Sequence, residues 1–160
     1  MLKPASAKTA SALKLQLISL IVLVVVLVLA GHHASSFCVE QYRHDETLRV
    51  NGHSLSAQLA ATEAQREKGL GGRACIGTSQ AMLFLFNQPG YYYFWMRDMH
   101  FAVDMVWLSD AKQVVYVQPN VLPSTYPNSF VSQQPARYVI ELRAGQAERL
   151  GIGTGTKLAF

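Results

Sequence analysis

Asp98 and Asp104 lie in residues 91–107, YYYFWMRDMHFAVDMVW, close enough in sequence for their carboxylates to share one site. Two carboxylates held side by side push their pKa values apart, which supplies an acid and a base at neutral pH. The same pair can take a hard cation through oxygen ligands. A strand over 92–97 has a period of two, so Tyr92, Phe94 and Met96 share one face and Tyr91, Tyr93, Trp95 and Arg97 the other. Asp98 then ends that strand and Asp104 begins the next. If the two strands pair as a hairpin, both carboxylates come to its tip. The competing structural expectation is that each aspartate caps a turn or pairs with a neighbouring arginine.

Arg66, Arg73, Arg97 and Arg137, with Glu141, are the other charged candidates. A guanidinium forks onto a carboxylate, either of a ligand or of the domain itself. Tyr91, Tyr93, Trp95, Trp107 and Tyr126 offer a stacking platform for sugars, peptides or headgroups, or else the filling of a barrel core. His100 stands alone, and His32-His33 lacks a metal-binding pattern, so neither a metal nor another cofactor is expected. There is no nucleophile elbow, no phosphate-binding Gly-x-x-x-x-Gly-Lys and no zinc-protease helix. Gly151-x-Gly153-x-Gly155 has no βαβ context and reads as a turn.

These side chains need a scaffold, and the local signals for it are mostly β. Asn51-Gly52 tolerates the two positive φ angles of a type I′ turn, which places Val50 opposite His53 and Leu48 opposite Leu55. Leu55, Ala57 and Leu59 alternate inward. Thr62 with Gln65 forms a capping box for a helix that Gly69 ends. The apolar run 82–86 predicts a buried strand stopped by Asn87-Gln88-Pro89-Gly90. Strands follow at 92–97, 103–108, 113–118 and 138–142, then a helix at 144–150 and a last strand at 156–160. Pro119, Pro123 and Pro127 make 120–134 a loop. The expected class is α+β and mostly antiparallel, a curved sheet or small barrel with one or two short helices, preceded by one N-terminal transmembrane or signal helix.

That N-terminal helix is read from Lys3, Lys8 and Lys14 ahead of residues 15–30, LQLISLIVLVVVLVLA. At about 1.5 Å per residue the run spans roughly 24 Å, close to a ~30 Å hydrocarbon core once its flanks are counted. A cleaved signal peptide has the same layout, with Val28-Leu29-Ala30 as a small-residue site. In either case the lysines stay cytoplasmic and the C-terminal domain is extracytoplasmic. The expected organisation is a basic tail at 1–14, a signal anchor or signal peptide at 15–31, a linker at 32–45 and one domain at 46–160. The three leading lysines supply three of the four net positive charges. The domain itself is nearly neutral, which argues against nucleic acid as a partner. In an oxidising compartment Cys38 and Cys75, the chain's two cysteines, are expected to form a bridge.

Three blocks carry a resemblance to a known family: Lys68-Gly69-Leu70-Gly71-Gly72-Arg73 followed by Met82-Leu83-Phe84; Phe94-Trp95-Met96-Arg97-Asp98-Met99 through Asp104; and Ala136-Arg137-Tyr138-Val139-Ile140-Glu141 with Ala144-Gly145 and Gly151-Ile152-x-x-Gly155. Together they resemble the domain of unknown function 192 family, which has no established biochemical activity. Asp98 stands where many members have asparagine, Met99 where they have threonine and Ala102 where they have proline. The resemblance adds weight to Arg73 and Glu141, which lie in matching blocks. Two functional expectations result. One is an exported, membrane-tethered module that binds a small polar ligand or cell-envelope component. Its pocket would be walled by the Trp95 region and the proline-rich loop with Tyr126, and Arg73, Arg97, Asp98, Asp104 and Glu141 would fix the ligand. The alternative is a small acid/base hydrolase that uses Asp98 and Asp104 as its catalytic pair.

Overall fold

The computed structural model describes residues 42–160. In chain order the elements are β1 (Glu46–Val50), β2 (His53–Ala60), α1 (Glu63–Lys68), β3 (Gln80–Gly90), β4 (Phe94–Trp95), β5 (Val103–Leu108), β6 (Val114–Val121), a 3-10 turn (Pro123–Thr125), β7 (Ser129–Phe130), β8 (Ala136–Arg143) and α2 (Gln146–Arg149). The apolar run, the linker as far as residue 41 and Cys38 lie outside the described residues. Among the described residues no helix is long and apolar enough to cross a membrane.

Six strands form one sheet in the order β1-β2-β3-β8-β5-β6, while β4 and β7 form a separate pair. Only β2 and β3 run parallel, joined through α1 and the glycine-rich segment. The rest of the ladder is antiparallel, as the sequence predicts. The sheet is curved and unclosed, because its edges β1 and β6 do not pair with each other.

The turn chemistry sets the first hairpin. Asn51 and Gly52 have φ of 48° and 80°, and Val50 faces His53 with Leu48 opposite Leu55. That register sends Leu48, Val50, Leu55 and Ala57 to one buried face, and a slip of one residue would expose all of them. The capping box forms too: the Gln65 N–H donates to Thr62 Oγ1 at 3.3 Å and the Thr62 N–H to Gln65 Oε1 at 3.0 Å. Gly69, at φ 48°, ends the helix.

Both faces of the central strands are covered. Ala81, Leu83, Val106, Ile140 and Leu142 pack into one core with Ala147 and Leu150 of the α2 region. Met82, Phe84, Met105, Trp107 and Val139 pack into a second with Leu70, Phe94 and Met96. Two-sided burial explains why 82–86 is apolar without alternation.

Four sequence expectations are corrected. β3 does not stop at Asn87-Gln88-Pro89-Gly90 but continues to Gly90 across an irregularity after Leu85, where the interrupted ladder asks no N–H of Pro89. The strand expected at 92–97 shrinks to Phe94–Trp95 and pairs with β7 rather than β5. β5, buried along all six residues, lies instead between β6 and β8, which satisfy both of its backbone edges. β6 runs on to Val121, with Pro119 tolerated on an edge strand, and the loop after it contains the 3-10 turn and β7. The last strand is replaced by a strap. Isolated bridges join Ala159 to Arg49 of β1 and Lys157 to Gln113 beside β6, so the C-terminus ties the two open edges together.

Candidate functional site

The helix α1 has no buried residue, so its own apolar face does not hold it in place. The segment that follows it does. A Cβ on Gly71 would meet Lys68 O at 3.0 Å and Arg97 O at 3.3 Å, so glycine is what lets the 97–98 turn approach this closely. The Gly72 N–H donates to Asp98 O at 2.8 Å. Asp98 holds φ at 58°, a left-handed conformation that aspartate and asparagine share more readily than most residues. Arg97 completes the clamp with an ion pair to Glu67 of α1 at 3.0 Å and its guanidinium 5.5 Å from the Trp95 ring centre.

Between these clamped walls lies a cavity of about 350 Å³. Its rim comes from α1 and the start of the glycine-rich segment, its far wall from Tyr92 to Trp95, and its lining includes Phe84, Phe86, Met99 and Glu141. The aromatic wall is fixed internally. Phe94 meets Phe84 edge-on at 4.8 Å and Trp107 edge-on at 5.7 Å. Phe86 stacks on Tyr92, and the Arg66 guanidinium lies 5.1 Å from the Phe86 ring centre while donating to Leu85 O at 3.1 Å. The Trp107 indole N–H donates to Tyr92 O at 3.1 Å.

Glu141 is the cavity's unusual group. On β8 it pairs with Met82 of β3 and Met105 of β5, so its backbone sits in the middle of the sheet. The residue is only 4 % exposed and its Oε2 has no hydrogen-bond partner. Burial pushes its pKa up to about 8, against the opposing pull of the Arg73 charge. Burial therefore favours the neutral carboxylic acid, which can donate one hydrogen bond and accept others. A buried polar atom without a partner costs about 1–3 kcal/mol, a cost that a bound ligand can remove.

The other expected site residues are dispersed. Asp98 is exposed on its turn, whereas Asp104 is fully buried on β5. Asp104 Oδ1 accepts from the Asn120 N–H at 2.8 Å and Oδ2 from the Ala147 N–H at 2.9 Å. The hairpin that would bring the two aspartates together does not form, and neither lines the cavity. Arg73 also lies outside the lining. It donates to Gln58 Oε1 and covers the Tyr42 ring at 5.8 Å, and it acts on Glu141 through its field without an ion pair. Tyr126 is 50 % exposed and outside the lining, as is the rest of the proline-rich loop. Arg137 pairs with Asp110, and His100 is exposed. Trp95, Arg97 and Glu141 are the expected ligand-binding residues that do line the cavity. Among the described residues no three His, Cys, Asp or Glu side chains cluster as metal ligands.

Sequence reasoning missed the α1 rim, with Glu63, Glu67 and Lys68, and the inward role of Phe84 and Phe86. One available signal was the juxtaposition of a capped helix and a glycine pair, which marks a close backbone approach. A second was an acidic residue inside the apolar stretch Val139-Ile140-Glu141-Leu142, which marks a buried charge that needs explanation.

Residues 46–160 match the domain of unknown function 192, described as uncharacterised ACR. Two solved structures are similar to this chain. One, a protein of unknown function from Novosphingobium aromaticivorans DSM 12444, is 30 % identical with a TM-score of 0.68, the match covering 71 % of this chain and 84 % of that one. The other comes from Sinorhizobium meliloti 1021 and carries the provisional description of a transcription regulator. It is 29 % identical with a TM-score of 0.66, covering 71 % of this chain and 89 % of that one. No curated protein matches the chain.

Proposed function

The chain belongs to the domain of unknown function 192 family, and on that premise we propose that it is an exported, membrane-tethered module that binds a small ligand in the cavity above Glu141. The single observation that carries this reading is a nine-tenths-buried carboxyl with an unpartnered oxygen at the floor of an aromatic-walled cavity. Binding sites commonly combine mostly apolar walls with a few converging polar groups in a volume of about 300–1,000 Å³. The tether is carried by the apolar run at 15–30 that follows Lys3, Lys8 and Lys14. The acid/base alternative built on Asp98 and Asp104 gains no support from the geometry, because Asp104 spends both oxygens on backbone N–H groups.

Native mass spectrometry tests the reading on the full-length chain purified in mild detergent and incubated with the small-molecule fraction of a bacterial lysate. The expected result is a reproducible added mass that Trp95→Ala removes. Trp95 is 41 % exposed, so its truncation leaves the core intact. An unadorned mass, or an adduct that Trp95→Ala leaves untouched, contradicts the reading.

A further inference from the structure

Whatever enters the cavity meets an uneven field. Arg66 and Lys68 of α1 and Arg97 of the turn after β4 line it, and Arg73 acts on its floor from the loop behind. Glu63 and Glu67, both on α1, oppose them. The strands flanking Glu141 present the neutral Met82 and Met105. With the Glu141 carboxyl protonated, three cationic side chains of the lining face two anionic ones, and Arg73 adds a positive field from behind the floor. A cationic ligand is therefore repelled, and it would find no carboxylate at the floor to pair with. A ligand with an oxyanion is attracted, and it finds at the floor a buried carboxyl whose Oε2 has no hydrogen-bond partner.

Resting on the binding reading above, we infer that the cavity takes a small amphipathic carboxylate. The apolar or aromatic body of the ligand lies against Phe84, Phe94 and Trp95, and its oxyanion accepts a hydrogen bond from the Glu141 carboxyl. No bond is made or broken, and the proton remains on Glu141. When Glu141 is ionised beforehand, binding takes up one proton from solvent. A protonated acid buried in apolar surroundings is a strong donor to an oxyanion, because the alternative arrangement places two negative charges side by side. Arg66 and Arg97 are already committed to the Phe86 and Trp95 rings, to Leu85 O and to Glu67. They set the sign of the field and leave the direct contact to Glu141.

Isothermal titration calorimetry on the full-length chain in detergent tests this with three probes that share a body and differ in head: benzoate, benzyl alcohol and benzylamine. Benzoate is expected to bind most tightly, with an affinity that is flat from about pH 5 to about pH 8, falls about tenfold per pH unit above that, and falls again at lower pH as benzoate itself takes up a proton. Glu141→Gln keeps a donor, so it retains benzoate binding near neutral pH and loses the pH dependence. Glu141→Leu, which keeps volume without a donor, weakens benzoate at least tenfold and leaves benzyl alcohol nearly unchanged. The inference is overturned if benzylamine binds most tightly, if benzoate affinity is indifferent to pH or to Glu141→Leu, or if none of the three binds. Should one of these occur while the lysate adduct still depends on Trp95, the anion assignment fails alone. Should the adduct also be absent, the binding reading fails with it.

Discussion

Asp104 and Glu141 lie on neighbouring strands and point to opposite faces of one sheet, and their surroundings give the two carboxyls opposite tasks. Asp104 is a fastener: its oxygens take the Asn120 and Ala147 N–H groups and so tie the end of β6 to α2. Asp104→Ala leaves the buried Ala147 N–H without an acceptor and releases the N–H of the exposed Asn120 to solvent, and is expected to cost about 1–3 kcal/mol in urea unfolding at pH 7. A loss below about 0.5 kcal/mol would refute that role. Glu141 behaves in the reverse sense. Its folded pKa, raised to about 8 from 4.5, keeps it protonated while the unfolded chain's carboxyl ionises. Its contribution is therefore intact below about pH 4.5 and is lost as pH rises through the folded pKa, at up to about 1.4 kcal/mol per pH unit in between. Relative to Glu141→Gln, the wild type should lose stability from pH 5 to pH 8 and then level off. A stability difference that stays constant across that window contradicts the buried neutral acid.

At the scale of elements, what was legible in the sequence was whatever local chemistry decides. Asn51-Gly52 sets a turn and thereby a register, and Thr62 with Gln65 and Gly69 bounds a helix. The side-chain alternation of 91–97 also holds, with Tyr92, Phe94 and Met96 inward and Tyr91, Tyr93, Trp95 and Arg97 outward. What was not legible was which strand pairs with which. Tyr91–Trp95 could have paired with β5 on local grounds, but β5 is buried on both faces and β6 and β8 cover both of its edges. The paired-aspartate expectation depended on that hairpin, which does not form. Cys75 lies in the loop between α1 and β3 that follows the cavity's rim, and Cys38 lies outside the described residues. In protein recovered from an oxidising compartment the Cys38–Cys75 bridge is expected, with a mass two hydrogens below the reduced chain. Reduction should lower stability by about 3–4 kcal/mol in the chain-entropy account. Reaction of both cysteines with a maleimide in unreduced, denatured protein would contradict the bridge.

At the scale of the whole molecule, an open sheet is made serviceable by a strap. The C-terminal residues tether β1 to the start of β6, with Leu158 buried in the core between them. The cavity lies on the opposite face, where Phe84 and Phe94 belong to the second core. A ligand can therefore occupy it without disturbing the strap. The apolar run at 15–30, preceded by three lysines, predicts a chain that resists alkaline carbonate extraction and keeps a C-terminal alkaline phosphatase fusion active outside the cytoplasm. A fully extractable chain with an inactive fusion would remove the tether and the export together. Whether ligand enters the Glu141 cavity is decided by NMR titration of the full-length, isotope-labelled chain in detergent with benzoate. The Trp95 indole N–H and the amides of Gly69, Gly71 and Glu141 are expected to shift together and saturate. Shifts centred on Asp98 and Tyr126, with the cavity amides still, would contradict binding there.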